Sequence, residues 1–329
     1  MSIKYLVNNG KNSKLKFYVT SYLRYFAPKF LYQNALPRIL REYENLSSEE
    51  RNYIDERVNY HCKLPAGVVT PLPVNALTLG SHTLQNHKES SCYFFDSYEY
   101  TRYFNDDLRW IHLFGDVIDL FSSPTIVKSR PLLKGDNANS VVLNLNKIRH
   151  FITLNDRIKF GDKSDKAIFR GDVEGKMNRY NFVSQYINHP MCDVGDVRPD
   201  AKTPVEWRRE PMSLYEHLKH KFIFALEGND VASNLKWIMS SNSVAVMPTP
   251  TCETWFMEGR LKSGEHYIEI AQDFSDVEKQ LQYYLDHPKE SIEIAQNANR
   301  FVAQFQNPRR ERLISILVLL HYFERTGQL

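Results

Sequence analysis

From about residue 109 the chain alternates short apolar runs with longer segments that are polar on one face, and few architectures accept that pattern. The runs at 109–114, 140–145, 166–170, 221–226, 243–247 and 266–270 have the length and the β-branched or aromatic content of buried strands. The segments 178–188, 231–241, 276–286, 288–305 and 309–325 carry helical spacing. Upstream, Ser47 stands three residues before Glu50, a capping box that opens a helix toward Tyr60. Strand and helix in alternation predict an α/β fold with a doubly wound parallel sheet. Such sheets bind ligands just beyond the carboxyl ends of their strands, so the informative residues are those that follow each run. A length of 329 residues favours two domains.

Several classes are disfavoured. No apolar run reaches the ~20 residues of a membrane span; the longest, 313–320, is flanked by Arg309, Arg310, Arg312 and Glu324. No secretory signal pattern opens the sequence, and Cys62, Cys92, Cys192 and Cys252 form no CxxC pair, which predicts free thiols and a cytoplasmic protein. No G-x-G, Walker loop, D-x-D or H-x-x-x-H spacing occurs, so no metal site is expected. The net charge of +3 conceals an asymmetry. Residues 1–41 hold Lys4, Lys11, Lys14, Lys16, Arg24, Lys29, Arg38 and Arg41, interleaved with aromatics and without one acidic residue. Such a segment suits an anionic membrane surface. It also suits a solvated basic edge with its aromatics in the core, and nucleic acid less well.

Four constellations follow predicted strands. Arg170-Gly171 ends the third run, and Arg179 lies on the first turn of the next helix. A guanidinium fork matches a phosphate, although a salt bridge from Arg170 to Asp172 or Glu174 accounts for the pattern equally. Leu226-Glu227-Gly228 leads through Asn229 and Asp230 to Ser233, Asn234 and Lys236, which is either an anion site at a helix start or plain capping. Asp116, after Gly115 and three residues before Asp119, can serve as a general base or as a turn residue. Lys128, Ser129 and Arg130 follow as candidates to hold an acidic group. After the fifth run, Glu253 and Glu258 offer a carboxylate to ribose hydroxyls, or the stretch is a loop with Trp255 and Phe256 in the core.

Taken in order, GDV at 115–117, PTIVKSRPL at 124–132, FRGD at 169–172, KFIFALEGNDVASNLKW at 221–237, TWFMEGRL and HYIEI between 254 and 270, and DFSDVEKQLQYYLDHP at 273–288 resemble glycosyltransferase family 90. The basic, aromatic N-terminus is similar to its lipopolysaccharide-modifying branch. The resemblance implies a GT-B fold: two Rossmann-like domains with a UDP-sugar held in the cleft. It implies an acceptor-side domain at 1–160, a donor domain at 161–307, and a helix at 308–329 packing back on the first. Arg170, Arg179, Ser233, Asn234 and Lys236 would then face the donor diphosphate, with Gly228 and either Glu253 or Glu258 at the nucleotide. Lys128 and Arg130 would lie on the acceptor side, with Asp116 as base. Asn234 stands where eukaryotic members carry an Arg. The expected activity is inverting, metal-independent transfer of glucose or galactose to a lipopolysaccharide core sugar, at the cytoplasmic face of the inner membrane and without nucleic acid. A nucleotide-sugar hydrolase and a non-catalytic polyanion- or membrane-binding module are the alternatives.

Overall fold

The computed structural model describes residues 9–132 and 135–329; Lys4 of the basic segment lies outside them. The chain divides into two compact units, one made of 13–148, 252–256 and 305–329, the other of 9–12, 149–251 and 257–304.

The first unit opens with helices α1 (Lys14–Phe26), α2 (Lys29–Gln33), α3 (Leu36–Glu44) and α4 (Ser48–His61). Ser13 caps α1 by accepting the Lys16 amide, and Ser47 caps α4 by accepting the Glu50 amide, the second as the sequence predicts. A two-residue ladder pairs β1 (Leu77–Thr78) with β2 (Arg109–Trp110). Helix α5 (Ser91–Thr101) is almost wholly buried, and Phe17, Tyr18 and Tyr25 of α1 pack on its Phe94, Phe95 and Tyr98. Strands β3 (His112–Leu113), β4 (Thr125–Val127) and β6 (Ser140–Val142) form a parallel sheet, with β5 (Ser129–Pro131) following β4 directly. The predicted strand 109–114 is thus divided between two sheets, with Ile111 at the break; its amide donates to the Tyr322 hydroxyl at 3.0 Å.

The second unit is built on β7 (Ala167–Gly171), α6 (Met177–Tyr186), β8 (Cys192–Asp196), α7 (Leu214–His217), β9 (Phe222–Phe224), α8 (Leu235–Met239) and β10 (Val244–Met247). The chain then contributes β11 (Cys252–Thr254) to the first unit and returns for β12 (Ile268–Glu269), α9 (Val277–Asp286) and α10 (Pro288–Ala303). The five strands β12-β10-β9-β7-β8 are all parallel. Numbered by sequence, this is the doubly wound order 2-1-3-4-5, whose switch point falls between β7 and β9. Ala167, Phe169, Phe222, Phe224, Val244 and Val246 pack with Phe182 of α6 and with Val277, Leu281 and Ile294 of α9 and α10. Ile168, Ile223 and Ala245, which alternate with them, are also buried. Burial on both faces explains why these strands read as unbroken apolar runs.

Strand β8, Cys-Asp-Val-Gly-Asp, was not predicted. Val194 enters the core, but on the other face a Cβ at Gly195 would lie 2.2 Å from Arg209 Cγ and 2.7 Å from the Trp207 carbonyl. Glycine is there because another stretch of chain covers the strand closely. Helix α8 is shorter than the predicted 231–241; Asn299 of α10 closes it by donating to the Met239 and Ser241 carbonyls at 3.0 and 2.8 Å. The first unit is completed by β11, antiparallel to β5, and by α11 (Pro308–Arg325), which packs on α4. Arg57 of α4 and Glu311 of α11 form a buried ion pair there, and Trp255 Nε1 donates to the same carboxylate at 2.5 Å. No described helix is long and apolar enough to cross a membrane.

Candidate active site

At the carboxyl ends of β9 and β10 lies a small cleft. Its walls include Leu226 and Glu227 after β9, Val231, Ala232 and Leu235 at the start of α8, Pro248–Pro250 after β10, and Asn178, Glu258 and Phe274. This is where an open parallel sheet offers a crevice, one strand from its switch point. The cleft is mostly apolar, with two carboxylates. Glu227 accepts the Thr251 amide at 2.9 Å and the Thr251 hydroxyl at 2.5 Å, which ties the turn after β9 to the loop after β10. Glu258 is 2% exposed and accepts a hydrogen bond from the Lys236 ammonium, itself 1% exposed. The pair is therefore a built-in element of the wall: each ion is desolvated only because the other is present.

Beside the cleft, Arg179 bridges the switch point. Its Nη1 donates to the Asp172 carbonyl after β7 at 3.0 Å, and its Nη2 to the Leu226 carbonyl after β9 at 2.8 Å. Gly228 leaves room for this contact, since a Cβ there would lie 3.1 Å from Arg179 Nη2. Asn178 donates to the Glu227 carbonyl at 2.6 Å. Ser233 is half-buried in the turn before α8. Asn234 caps nothing with its side chain; its amide donates to the Phe224 carbonyl at 2.9 Å and fastens the turn to β9.

Three expectations are corrected by the geometry. Arg170 does not line the cleft; its guanidinium turns along the sheet onto β8, donating from Nη2 to Asp193 Oδ1 at 2.7 Å and from Nη1 to the Asp193 carbonyl at 2.8 Å. Its ion-pair partner is thus neither Asp172 nor Glu174. Arg130 is 0% exposed and cannot present itself to an acceptor. Its Nε donates to Glu253 Oε1 at 2.7 Å, and the rest of the fork reaches the Tyr60, His61 and Ser140 carbonyls. Glu253 is 0% exposed as well, directly opposite Arg130 in the β5–β11 ladder, and accepts from the Tyr60 hydroxyl. Of the two candidate ribose carboxylates, Glu258 lines the cleft and Glu253 braces the other unit.

Asp116 follows β3 after Gly115, whose φ of +123° favours glycine. Its carboxylate is partly exposed and accepts from Lys128 Nζ at 2.6 Å. Lys128 is buried at the end of β4, and Ser129 holds the same loop by exchanging hydrogen bonds with the Val117 amide and carbonyl. Lys128 therefore positions Asp116 instead of standing at the surface. Sequence reasoning missed Asn178 and Glu227 as cleft residues, although Glu227 lies inside a motif it singled out.

The sequence was then compared with known proteins. The family described as Glycosyl transferase family 90 matches residues 140–309. The O-glucosyltransferase LpsA of Dichelobacter nodosus is 38% identical over 312 residues, 94% of this chain and 95% of that protein. The family match spans both ends of the five-stranded sheet and the residues around its cleft. With cleft, sheet order and both likenesses in agreement, the chain belongs to glycosyl transferase family 90 and is a glycosyltransferase.

Proposed function

We propose that the protein moves glucose from UDP-glucose to a sugar hydroxyl of a lipopolysaccharide core, with inversion at the anomeric carbon. The observation that carries the donor assignment is the cleft at the ends of β9 and β10, with Glu227 and the Glu258–Lys236 pair in or against its wall. Uridine suits its apolar walls, and ribose hydroxyls suit its carboxylates. Arg179 supplies positive charge for the diphosphate without a metal there, and Lys236 holds the Glu258 carboxylate in the wall. Glucose, over galactose, follows from the name of the D. nodosus relative. In the reaction Asp116 takes the acceptor proton as the acceptor oxygen bonds to C1, while the bond from C1 to UDP breaks and UDP carries away the electron pair. A parallel sheet in each unit supports the GT-B reading.

The donor site is tested by calorimetric titration of UDP into Glu258→Gln. That variant keeps an acceptor for Lys236 and loses the charge. We expect at least tenfold weaker binding, about 1.4 kcal/mol. A folded variant that binds UDP like the wild type would remove Glu258 from the nucleotide site.

The acceptor is lipid-linked, and α1 supports contact of the protein with an anionic membrane. Leu15, Val19, Tyr22, Leu23 and Phe26 recur on one helical face and are 76%, 49%, 41%, 70% and 75% exposed; Phe30 and Leu31 of α2 extend the patch. Lys11, Lys14 and Lys16 are exposed beside it. An exposed apolar face bordered by cations is the pattern of a helix lying in a lipid interface. Leu23→Asp with Phe26→Asp should leave the melting temperature unchanged and lower partitioning onto phosphatidylglycerol vesicles by at least tenfold, read by co-sedimentation. Undiminished sedimentation would count against membrane docking through α1.

A further inference from the structure

Three histidines distant in the chain meet in the first unit. His82 follows the short turn Leu79–Ser81, His87 lies within Leu84–Ser90, and His112 opens β3. Their ligating nitrogens all lie within 4.8 Å of one another, and they are the one such group of three His, Cys, Asp or Glu residues among those described. His82 Nδ1 and His87 Nε2 are 3.1 Å apart. Two nitrogens bound to a tetrahedral ion at ~2.0–2.1 Å are ~3.3 Å apart, so these two already stand nearly at ligand spacing.

Ser97 Oγ lies 2.8 and 3.0 Å from the Tyr93 and Phe94 carbonyls, to which it donates. Oγ is then the acceptor for His82 Nε2, 2.9 Å away. With its proton on Nε2, His82 turns the lone pair of Nδ1 toward His87. Metal-binding imidazoles are oriented in just this way, by a hydrogen bond from the nitrogen that does not bind. A simple hydrogen bond from His87 to His82 would account for those two rings but not for the third. His112 Nδ1 is buried without a hydrogen-bond partner, and its ring centroid lies 5.4 and 5.3 Å from those of His82 and His87. Trp110, Phe94 and Phe114 pack around the three, which gives the cluster an apolar shell.

We infer that His82 Nδ1, His87 Nε2 and His112 Nδ1 form a site for one divalent transition ion of the zinc type, with water as a fourth ligand. Neutral imidazoles suit zinc, copper and nickel over magnesium or calcium. The ion would fasten the segment 79–90 to β3, the strand that leads into Gly115 and Asp116. Its role there is structural, and the site stands whether or not Asp116 is the base.

The test is cobalt and zinc titration of the untagged, full-length protein after chelator treatment and dialysis. One equivalent of Co²⁺ should produce visible d–d bands of a four-coordinate ion, displaced by one equivalent of Zn²⁺. His87→Ala and His112→Ala should each weaken zinc binding at least 100-fold, and Ser97→Ala roughly tenfold. His87 is half-buried, so its variant decides the matter should His112→Ala fail to fold. Less than one bound equivalent in the wild type, or unchanged affinity in a folded His87→Ala, would overturn the site.

Discussion

Asp116→Asn is expected to lower kcat for glucosyl transfer by about 10²–10⁴-fold, the usual share of a general base, while the Kd for UDP stays at its wild-type value. In energy this is about 3–5.5 kcal/mol of transition-state stabilisation. Asparagine preserves the shape of the side chain and can still accept from Lys128 Nζ, which lies 2.6 Å from Asp116 in the wild type. What it loses is the capacity to take a proton. Rate and affinity must be read together, because Lys128 is buried and its ion pair contributes to the loop. A variant that loses both transfer and UDP binding has lost its fold. One that keeps transfer would show that Asp116 is no base, and would turn attention to a proton acceptor carried by the substrate or by another loop.

Glu253→Ala should have the largest effect on stability. Removing one partner of a buried ion pair strands the other charge away from water, at a cost of about 3–5 kcal/mol. Arg130 is the stranded group, 0% exposed. The Tyr60 hydroxyl loses its acceptor in the same step. A drop in melting temperature on the order of 10 °C follows, measurable by calorimetry. The double variant Glu253→Leu with Arg130→Met should recover much of this loss, since an apolar pair leaves no buried charge. The opposite pattern, an intact melting temperature with weakened UDP binding, would return Glu253 to the nucleotide site.

Why the sequence put Glu253 forward with Glu258 as its rival is physical. They stand five positions apart, and both follow the same strand. Between them the chain serves two units: 252–256 pairs with β5, and from Met257 it belongs again to the five-stranded sheet. Met257 marks the return with a left-handed φ of 58°, uncommon for a residue with a side chain. No local pattern announces such a crossing. The parallel sheet was legible because strands buried on both faces leave unbroken apolar runs. Strand β8 was not, because Gly195 and Asp193 serve the packing of Arg209 and the ion pair of Arg170. The Arg170 motif marked a strand end correctly, but its chemistry depended on that unseen strand. The histidine cluster was illegible for a similar reason: two turns and a strand supply one ligand each.

The discontinuous make-up of the first unit also bears on how it is made. Arg57 and Glu311 are separated by 254 residues. At about 5–20 residues per second, a ribosome needs roughly 10–50 s to travel between them. Throughout that interval α4 has no α11 to lie against, and β5 has no β11. The five-stranded unit is complete once residue 304 has been made, so it can finish folding while its companion, most of which is made earlier as 13–148, still waits for 305–329. During translation the unit whose main body emerges first is therefore the unit that closes last, with the guanidinium of Arg57 held in water until Glu311 arrives.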